Sequence, residues 1–238
     1  MSEFETPYCP GCSHSHLQGL LAEIFSIETW KDRLVGVVGP GCSQDLGTHF
    51  RIPIISSPPG MAPAVAAGMK RTSPDRLVFT YQGEGDLGSR GLDALMHAAL
   101  RGDSITVICL NNQVMAGSGG QMSVSSRPGQ ITTSTRLGRS TARSGKALRL
   151  AEMVARLPGV AFSQRVALHT PDFVKRTRLA LREAFHFQEN GQGLAFIEVM
   201  GMCPPYWHET PEEARLTLDK TLLKHAPAGI FRSVTLIR

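Results

Sequence analysis

The sequence predicts an α/β fold, a mostly parallel sheet with helices on both faces, and three observations carry that prediction. Short apolar runs bounded by turn residues alternate with helical stretches along the chain. The length, 238 residues, suits one large domain with a continuous core better than several small ones. Two helix starts are well marked: Thr170-Pro171, a cap followed by a first-turn proline, and Thr210-Pro211 with Glu213, a capping box with the same proline.

In chain order, strands are expected at Leu34–Val38, Ile52–Ile55, Leu77–Tyr81, Ile105–Leu110, Val160–Phe162 and Leu194–Met200, each a short apolar run. Helices are expected over Leu17–Ser26, Pro63–Arg71, Leu92–Leu100, Ala147–Arg156 and Pro171–Phe187, with a last one from the Thr210 cap to about Leu223. Asn111 to Ser144 has no apolar periodicity and is dominated by Gly, Ser, Thr and Arg, which reads as a long functional or disordered loop. There is no internal repeat and no linker, so a single domain over 1–238 is expected, with ligands in the crevice at the C-terminal ends of the strands.

Hydrophobic residues make up 42% of the chain and charged residues 19%, which excludes disordered and fibrous readings. No apolar run approaches the ~20 residues that span a bilayer, and Met1–Pro10 carries Glu3 and Glu5 with no hydrophobic signal core, so a cytoplasmic protein with no membrane partner is expected. The net charge of +5 is uneven, with 12 basic residues between Arg127 and Arg182 against only Glu152 and Asp172. Such a surface could meet an acidic partner, a phosphorylated ligand or nucleic acid. With 6% aromatic residues and no reading motif, nucleic acid is disfavoured.

Two constellations carry chemistry. After the strand ending at Tyr81, Gly83-Glu84-Gly85-Asp86 forms a turn that lets backbone and a helix N-terminus approach a phosphate. The next parallel strand ends in Asn111-Asn112 and delivers those amides to the same sheet edge. A carboxylate, an amide oxygen and a backbone carbonyl, completed by diphosphate oxygens and water, suit Mg²⁺. The arrangement resembles the thiamine diphosphate motif, a Gly-Asp-Gly followed by an Asn pair, here with Glu84 as the acid and 26 residues between Gly85 and Asn112. The Met115–Ser123 text that follows can wrap a diphosphate with backbone N–H groups and the Ser118 hydroxyl.

The second constellation is Cys9 and Cys12 in a Cys-x-x-Cys pair, then Cys42 and Cys203. Four thiolates would hold a cubane iron–sulfur cluster if the fold gathers them, and zinc would accept the same four. The fifth, Cys109, lies in an apolar strand run and reads as a core thiol.

Taken together, these residues resemble the thiamine diphosphate-binding β subunit of the 2-oxoacid:ferredoxin oxidoreductases, especially the short form of 2-ketoisovalerate-type enzymes. The resemblance covers Tyr8–His14, Ala62–Lys70, Val78–Asp86, His97–Ala99, Ile105–Asn112, Gly119–Gln121, Pro128–Thr133 and Cys203–Trp207. It implies the thiamine diphosphate-binding (PP-type) fold, an N-terminal cluster-ligand segment and a C-terminal helical tail. By the same resemblance Cys9, Cys12, Cys42 and Cys203 would hold a [4Fe–4S] cluster, and Glu84, Asn112 and the Val114 carbonyl would hold Mg²⁺. Gly85, Asp86, Leu87, Gly117 and Ser118 would lie at the diphosphate, Ser43 near the cofactor and His14 in its pocket, with Trp207 covering the cluster. His16 and His97 read as helix residues. The family chemistry is oxidative decarboxylation of a 2-oxoacid to an acyl-CoA, with electrons passed to the cluster and then to ferredoxin. A pyrimidine-domain α subunit would supply the activating glutamate, ferredoxin-like subunits could join the complex, and the lone chain would be inactive.

The sequence departs from the family at Glu84, where Asp is usual, and at Pro59-Gly60-Met61, where the family has His-Gly-Arg. Met115-Ala116-Gly117-Ser118 replaces Tyr-Gly-Met-Thr, and Val124 replaces Pro. These changes point to an unusual substrate or to a weakened catalytic role. Two rivals follow: a non-oxidative decarboxylase or carboligase, which needs no cluster, and a non-catalytic iron–sulfur subunit, which needs no thiamine diphosphate.

Overall fold

A computed structural model describes residues 7–235 except 28 and 49. The first helix, α1 (Ser13–Ile27), starts directly after Cys12 and buries Leu17, Leu20, Leu21, Ile24 and Phe25, a one-faced helical spacing. Then come β1 (Leu34–Val38), a 3₁₀ turn over Gln44–Thr48, β2 (Ile54–Ser56), α2 (Ala62–Thr72) and β3 (Leu77–Gly83). A π turn over Asp86–Arg90 leads into α3 (Leu92–Arg101), which stops at Gly102 in the left-handed conformation, and β4 (Thr106–Asn111) follows.

The expected loop is an ordered crossover built on side-chain bonds. It contains the hairpin β5 (Val114–Met115) and β6 (Gln121–Met122) and the single turn α4 (Thr141–Ser144). Its organiser is the buried Arg139, whose Nη1 donates to the carbonyls of Ser123, Val124 and Ser126 and whose Nη2 donates to those of Ser144, Gly145 and Lys146. Glycine- and serine-rich backbone that has no apolar face is thus held through its carbonyls, which periodicity cannot register.

Next come α5 (Leu150–Val154), shorter than the Ala147–Arg156 expected, and β7 (Val160–Ala167), five residues longer than expected. The polar Ser163-Gln164-Arg165 predicts an early strand end, yet Ser163 and Arg165 are buried. Arg165 donates from Nε to Glu198 Oε2 at 2.9 Å, from Nη1 to Glu152 Oε1 at 2.9 Å, and from Nη2 to Glu152 Oε2. After α6 (Pro171–Glu189), capped by the Thr170 hydroxyl, β8 (Leu194–Met200) completes the parallel part of the sheet. The tail comprises α7 (Pro204–Trp207), α8 (Pro211–Thr217) with its capping box, a π turn over Leu218–Leu222 and a last turn at Leu223–His225. It is not helical to its end: β9 (Gly229–Ser233) pairs antiparallel with β7.

The sheet order is β2-β1-β3-β4-β8-β7-β9, and every pair except β7–β9 is parallel. Residues alternate between two cores, as a pleated strand requires. Phe79, Tyr81, Ile108, Leu110, Ile197 and Val199 pack on one face with α1 and α6, while Val78, Val107, Cys109 and Phe196 pack on the other with α2, α3 and α5. Among the described residues no helix is long and apolar enough to cross a membrane. The chain runs from β1 outward to β2 and returns to β3 on β1's other side, which opens a crevice at the β1/β3 switch point.

Arg165 is a guanidinium without solvent access between two carboxylates. Removing it strands a buried charge, so Arg165→Ala should cost about 3–5 kcal/mol, read as a lower urea midpoint at unchanged m-value.

Candidate functional site

Three strand ends converge at the switch point. The Gly39–Ser43 turn follows β1, the Gly83–Asp86 turn follows β3, and Asn111–Val114 follows β4. With His14, Pro59, Arg90 and the Met115–Ser118 segment they line a cavity of about 260 Å³. Of the residues singled out for the cofactor and Mg²⁺, His14, Ser43, Glu84, Gly85, Asp86, Asn112, Val114, Gly117 and Ser118 all line it. Leu87 does not: its side chain lies in the core beneath, with α2 and α3.

The backbone reaches the cavity through specific side-chain bonds. Asn111 Oδ1 accepts the Gln113 N–H at 3.0 Å and Asn112 Oδ1 accepts the Val114 N–H at 3.2 Å, two successive Asx turns that reverse the chain after β4. Gln113 is thereby forced to φ 59°, and its carbonyl is held by Ser126 Oγ at 2.6 Å and Gln130 Nε2 at 2.9 Å. An amide oxygen has two lone pairs, so Asn112 Oδ1 retains one for a metal. Gly117 packs on Gly41, where any Cβ would lie 2.7 Å from the Gly41 Cα, so two main chains meet without side chains between them.

Glu84 is the electrostatic centre. Burial pushes its carboxyl up to about 7, against a Ser123 hydroxyl and the N–H groups of Glu84 and Asn112, which favour the charged form. Ser125 Oγ also approaches Oε1 at 3.4 Å and bonds Asn111 Oδ1 at 2.9 Å. Asn111 Nδ2 in turn donates to Glu198 Oε1 at 2.6 Å. Arg165 neutralises Glu198, whereas among the described residues no cation pairs with Glu84.

Asp86 lines the cavity, but protein donors occupy its carboxylate: the Gly60 N–H at 2.7 Å and Gln82 Nε2 at 2.6 Å. Burial raises its pKa. Its work is to clamp the 58–61 loop and the β1 end to the β3 turn; a Cβ at Gly39 would sit 2.3 Å from Asp86 Oδ2. Ser43 Oγ caps its own turn through the Gly39 carbonyl at 3.0 Å, and the Ser118 hydroxyl donates to the Met115 carbonyl at 3.2 Å.

Beside this cavity lies a second, of about 120 Å³, lined by Cys9, Cys12, Cys42 and Cys203 with Tyr8, Asp45 and Tyr206. Sequence positions as far apart as 9 and 203 meet because Ser13 Oγ accepts the Met202 N–H at 2.8 Å, fixing the start of α1 to the end of β8. Burial pushes the thiols of Cys12 to about 11 and Cys203 to about 12 and raises that of Cys42, so all three are protonated at neutral pH. Among the described residues no three His, Cys, Asp or Glu side chains converge tightly enough for a single ion. His14, Cys42, Asn112 and Ala116 line both cavities and form their common wall.

Sequence reasoning missed the polar groups that set this wall. Tyr81 shares a 2.6 Å hydrogen bond with His14 Nδ1, and Tyr8 stacks on His14 while its hydroxyl donates to the Cys42 carbonyl at 2.9 Å. Gln18 donates to the Tyr8 hydroxyl. Burial lowers the His14 pKa to about 4, leaving a neutral imidazole at neutral pH. Trp207 Nε1 donates to the Asn112 carbonyl at 3.1 Å, tying the tail to the Asn turn. Tyr81 ends an apolar run and gave no sign of this role; Tyr8 stood beside the Cys pair and could have been marked.

Relatives and a solved structure share this arrangement of chain. The Methanothermobacter thermautotrophicus protein named ketoisovalerate oxidoreductase subunit VorA is 34% identical over 95% of this chain and 48% of its own length. The Methanocaldococcus jannaschii 2-oxoglutarate synthase subunit KorB is 25% identical over 84% of this chain and 70% of its own. The chain spans about half the length of the ketoisovalerate oxidoreductase subunits it matches. A 2-oxoglutarate:ferredoxin oxidoreductase from Magnetococcus marinus, solved with 2-oxoglutarate, coenzyme A and succinyl-CoA, superposes with a TM-score of 0.75 at 19% identity, covering 98% of this chain and 83% of that one, and so shares the fold. The profile of the thiamine pyrophosphate enzyme C-terminal TPP-binding domain matches residues 39–199, the span that holds the β1, β3 and β4 ends, and the chain therefore belongs to that family.

Proposed function

We propose that the chain is the TPP-binding, [4Fe–4S]-carrying subunit of a cytoplasmic 2-oxoacid:ferredoxin oxidoreductase-like complex. The reaction joins a 2-oxoacid and coenzyme A to give an acyl-CoA, CO₂ and a proton, while two ferredoxins each take one electron. The observation that carries this reading is the wall shared by the cofactor cavity and the four-cysteine cavity, because a non-oxidative TPP enzyme has no use for thiolates there. The names of the relatives, ketoisovalerate oxidoreductase and 2-oxoglutarate synthase subunits, point the same way.

The residues fit both metal groups. Glu84, Asn112 Oδ1 and the Val114 carbonyl would hold Mg²⁺, and a buried carboxylate with no cation partner among the described residues is the donor such a site needs. Cys9, Cys12, Cys42 and Cys203 would hold the cluster. All four line one cavity, and four thiolates are the donor set a cubane requires. Bound TPP supplies the electron sink that allows the bond between carboxylate and 2-oxo carbon to break. The protein's part is positional. The Gly85 and Gly117 backbone and Ser118 line the cavity where they would hold the diphosphate, Asp86 fixes the β3 turn and the 58–61 loop, and His14, Cys42 and Asn112 form the wall that would keep the two groups adjacent. A pyrimidine-domain partner chain would complete the cofactor site, with ferredoxin-like subunits and ferredoxin taking the electrons.

The complex, purified anaerobically, should reduce a viologen dye only when a 2-oxoacid and coenzyme A are both present, and Cys203→Ser should abolish that reduction while TPP stays bound. Dye reduction that survives the loss of Cys203 contradicts the proposal. Glu84 adds a pH signature. Its folded pKa of about 7 lies above the ordinary carboxylate range, so the stability it contributes to the metal-free chain is complete below pH ~4 and is lost as pH rises through about 7, up to ~3 kcal/mol. Urea unfolding between pH 5 and 8 should show that loss in the difference between wild type and Glu84→Gln, because buried His14 and Asp86 titrate alike in both proteins. Because Mg²⁺ binds the ionised form, its affinity should rise over the same interval; equal slopes in the two proteins would remove Glu84 from the metal site.

A further inference from the structure

Among the described residues the walls of the cofactor cavity carry a single lysine or arginine, Arg90, and the His14 imidazole beside it in that lining is neutral. Arg90 ends the π turn Asp86–Arg90, which the Gly91 N–H closes on the Asp86 carbonyl at 3.0 Å, and widened turns of this kind recur at functional sites. Its main chain is pinned. Gly60, at φ 79°, packs so close that a Cβ there would lie 2.5 Å from the Arg90 carbonyl carbon, and Asp86 Oδ1 accepts the Gly60 N–H at 2.7 Å. The side chain, by contrast, is uncommitted: Arg90 is exposed and among the described residues makes no ion pair and no side-chain hydrogen bond. Asp86 feels its charge, but each Asp86 oxygen already accepts a protein donor, the Gly60 N–H on one and Gln82 Nε2 on the other. A fixed root with a free guanidinium is the build of a recognition group.

We propose that Arg90 is the specificity-determining residue of this cavity, pairing with the side-chain carboxylate of a dicarboxylic 2-oxoacid. The inference rests on the proposed function and deepens it. Three anions could meet the guanidinium, and two are poor partners. The diphosphate belongs with Glu84 and Asn112, which are 1% and 5% exposed at the floor of the cavity, whereas Arg90 stands exposed at its mouth. The carboxylate that leaves as CO₂ loses its charge in the reaction, so a cation on it would stabilise the ground state more than the transition state. The side-chain carboxylate keeps its charge throughout, and the planar guanidinium can grip it with two parallel hydrogen bonds. An alkyl side chain in the same place would desolvate the guanidinium and leave it unpaired.

The test uses the complex purified anaerobically from its own host, with 2-oxoglutarate as the dicarboxylic probe and 2-ketoisovalerate as the branched-chain one. Wild type should favour 2-oxoglutarate in kcat/KM. Arg90→Leu should lower that preference roughly tenfold or more, through KM, and Arg90→Lys should fall between. Calorimetry reads the same subsite without turnover: glutarate, with two carboxylates and no 2-oxo group, should bind Arg90→Leu roughly tenfold more weakly than wild type, while 3-methylbutanoate, with one carboxylate, binds both alike. A wild-type preference for 2-ketoisovalerate, an equal fall for both acids in Arg90→Leu, or a fall confined to TPP affinity each overturns the proposal. Glutarate binding that depends on Arg90 in a complex that oxidises neither acid keeps the carboxylate subsite and retires the oxidoreductase reading. Oxidation of both acids, with kinetics and glutarate binding unaltered in Arg90→Leu, retires the subsite alone.

Discussion

The hydrogen bond from Asn111 Nδ2 to Glu198 Oε1, 2.6 Å long and buried, is the constraint on which the cofactor edge depends. It joins the end of β4 to the middle of β8, and Arg165 holds its far side. Because Nδ2 is committed to Glu198, Oδ1 must face the chain's own continuation, where it accepts from Gln113 and Ser125. That orientation reverses the backbone, brings the Asn112 N–H to Glu84 and Val114 to the same cavity, and accepts a left-handed Gln113 as its consequence. A polar network this deep stabilises the fold only if every member is satisfied; here the charged end is met by Arg165 and the amide end by Ser125 and the turn. Glu84 is the one carboxylate of the set without a cation among the described residues, which is why the proposed divalent ion is assigned to it.

The two cavities are arranged so that little protein separates them. His14, Cys42, Asn112 and Ala116 belong to both, and Tyr8, Tyr81 and Gln18 fix the histidine and the Cys42 carbonyl from behind. His14 places a neutral imidazole, not a charge, in that wall at neutral pH. The tail contributes through Trp207, whose bond to the Asn112 carbonyl ties the Cys203 segment to the Asn turn. One turn therefore borders both cavities at once, and Asn112 lines each of them.

Much of this was legible in the sequence, for physical reasons that differ by region. The parallel strands and long helices announce themselves because both sheet faces are buried and the helices are amphipathic. Gly83–Asp86, Asn112 and the four cysteines stand out in the sequence by residue type and spacing, and the fold gathers them at the two cavities. β7 reads too short because its second half carries a buried arginine, whose partners Glu152 and Glu198 are remote in sequence. β9 is an edge strand, intermediate or exposed at every position, so it shows little apolar pattern. The Asn111–Ser144 crossover reads as unstructured because its order comes from Arg139 and carbonyls, and the clamp that Asp86 makes on Gly60 and Gln82 is invisible in the sequence because its partners are a loop N–H and a strand amide.

The central claim is that one chain holds a redox cluster and TPP across a shared wall. The most direct measurement is iron, acid-labile sulfide and TPP per chain in the complex purified anaerobically. The account predicts about four irons and four sulfides together with one TPP. TPP without iron, or iron without TPP, would contradict it.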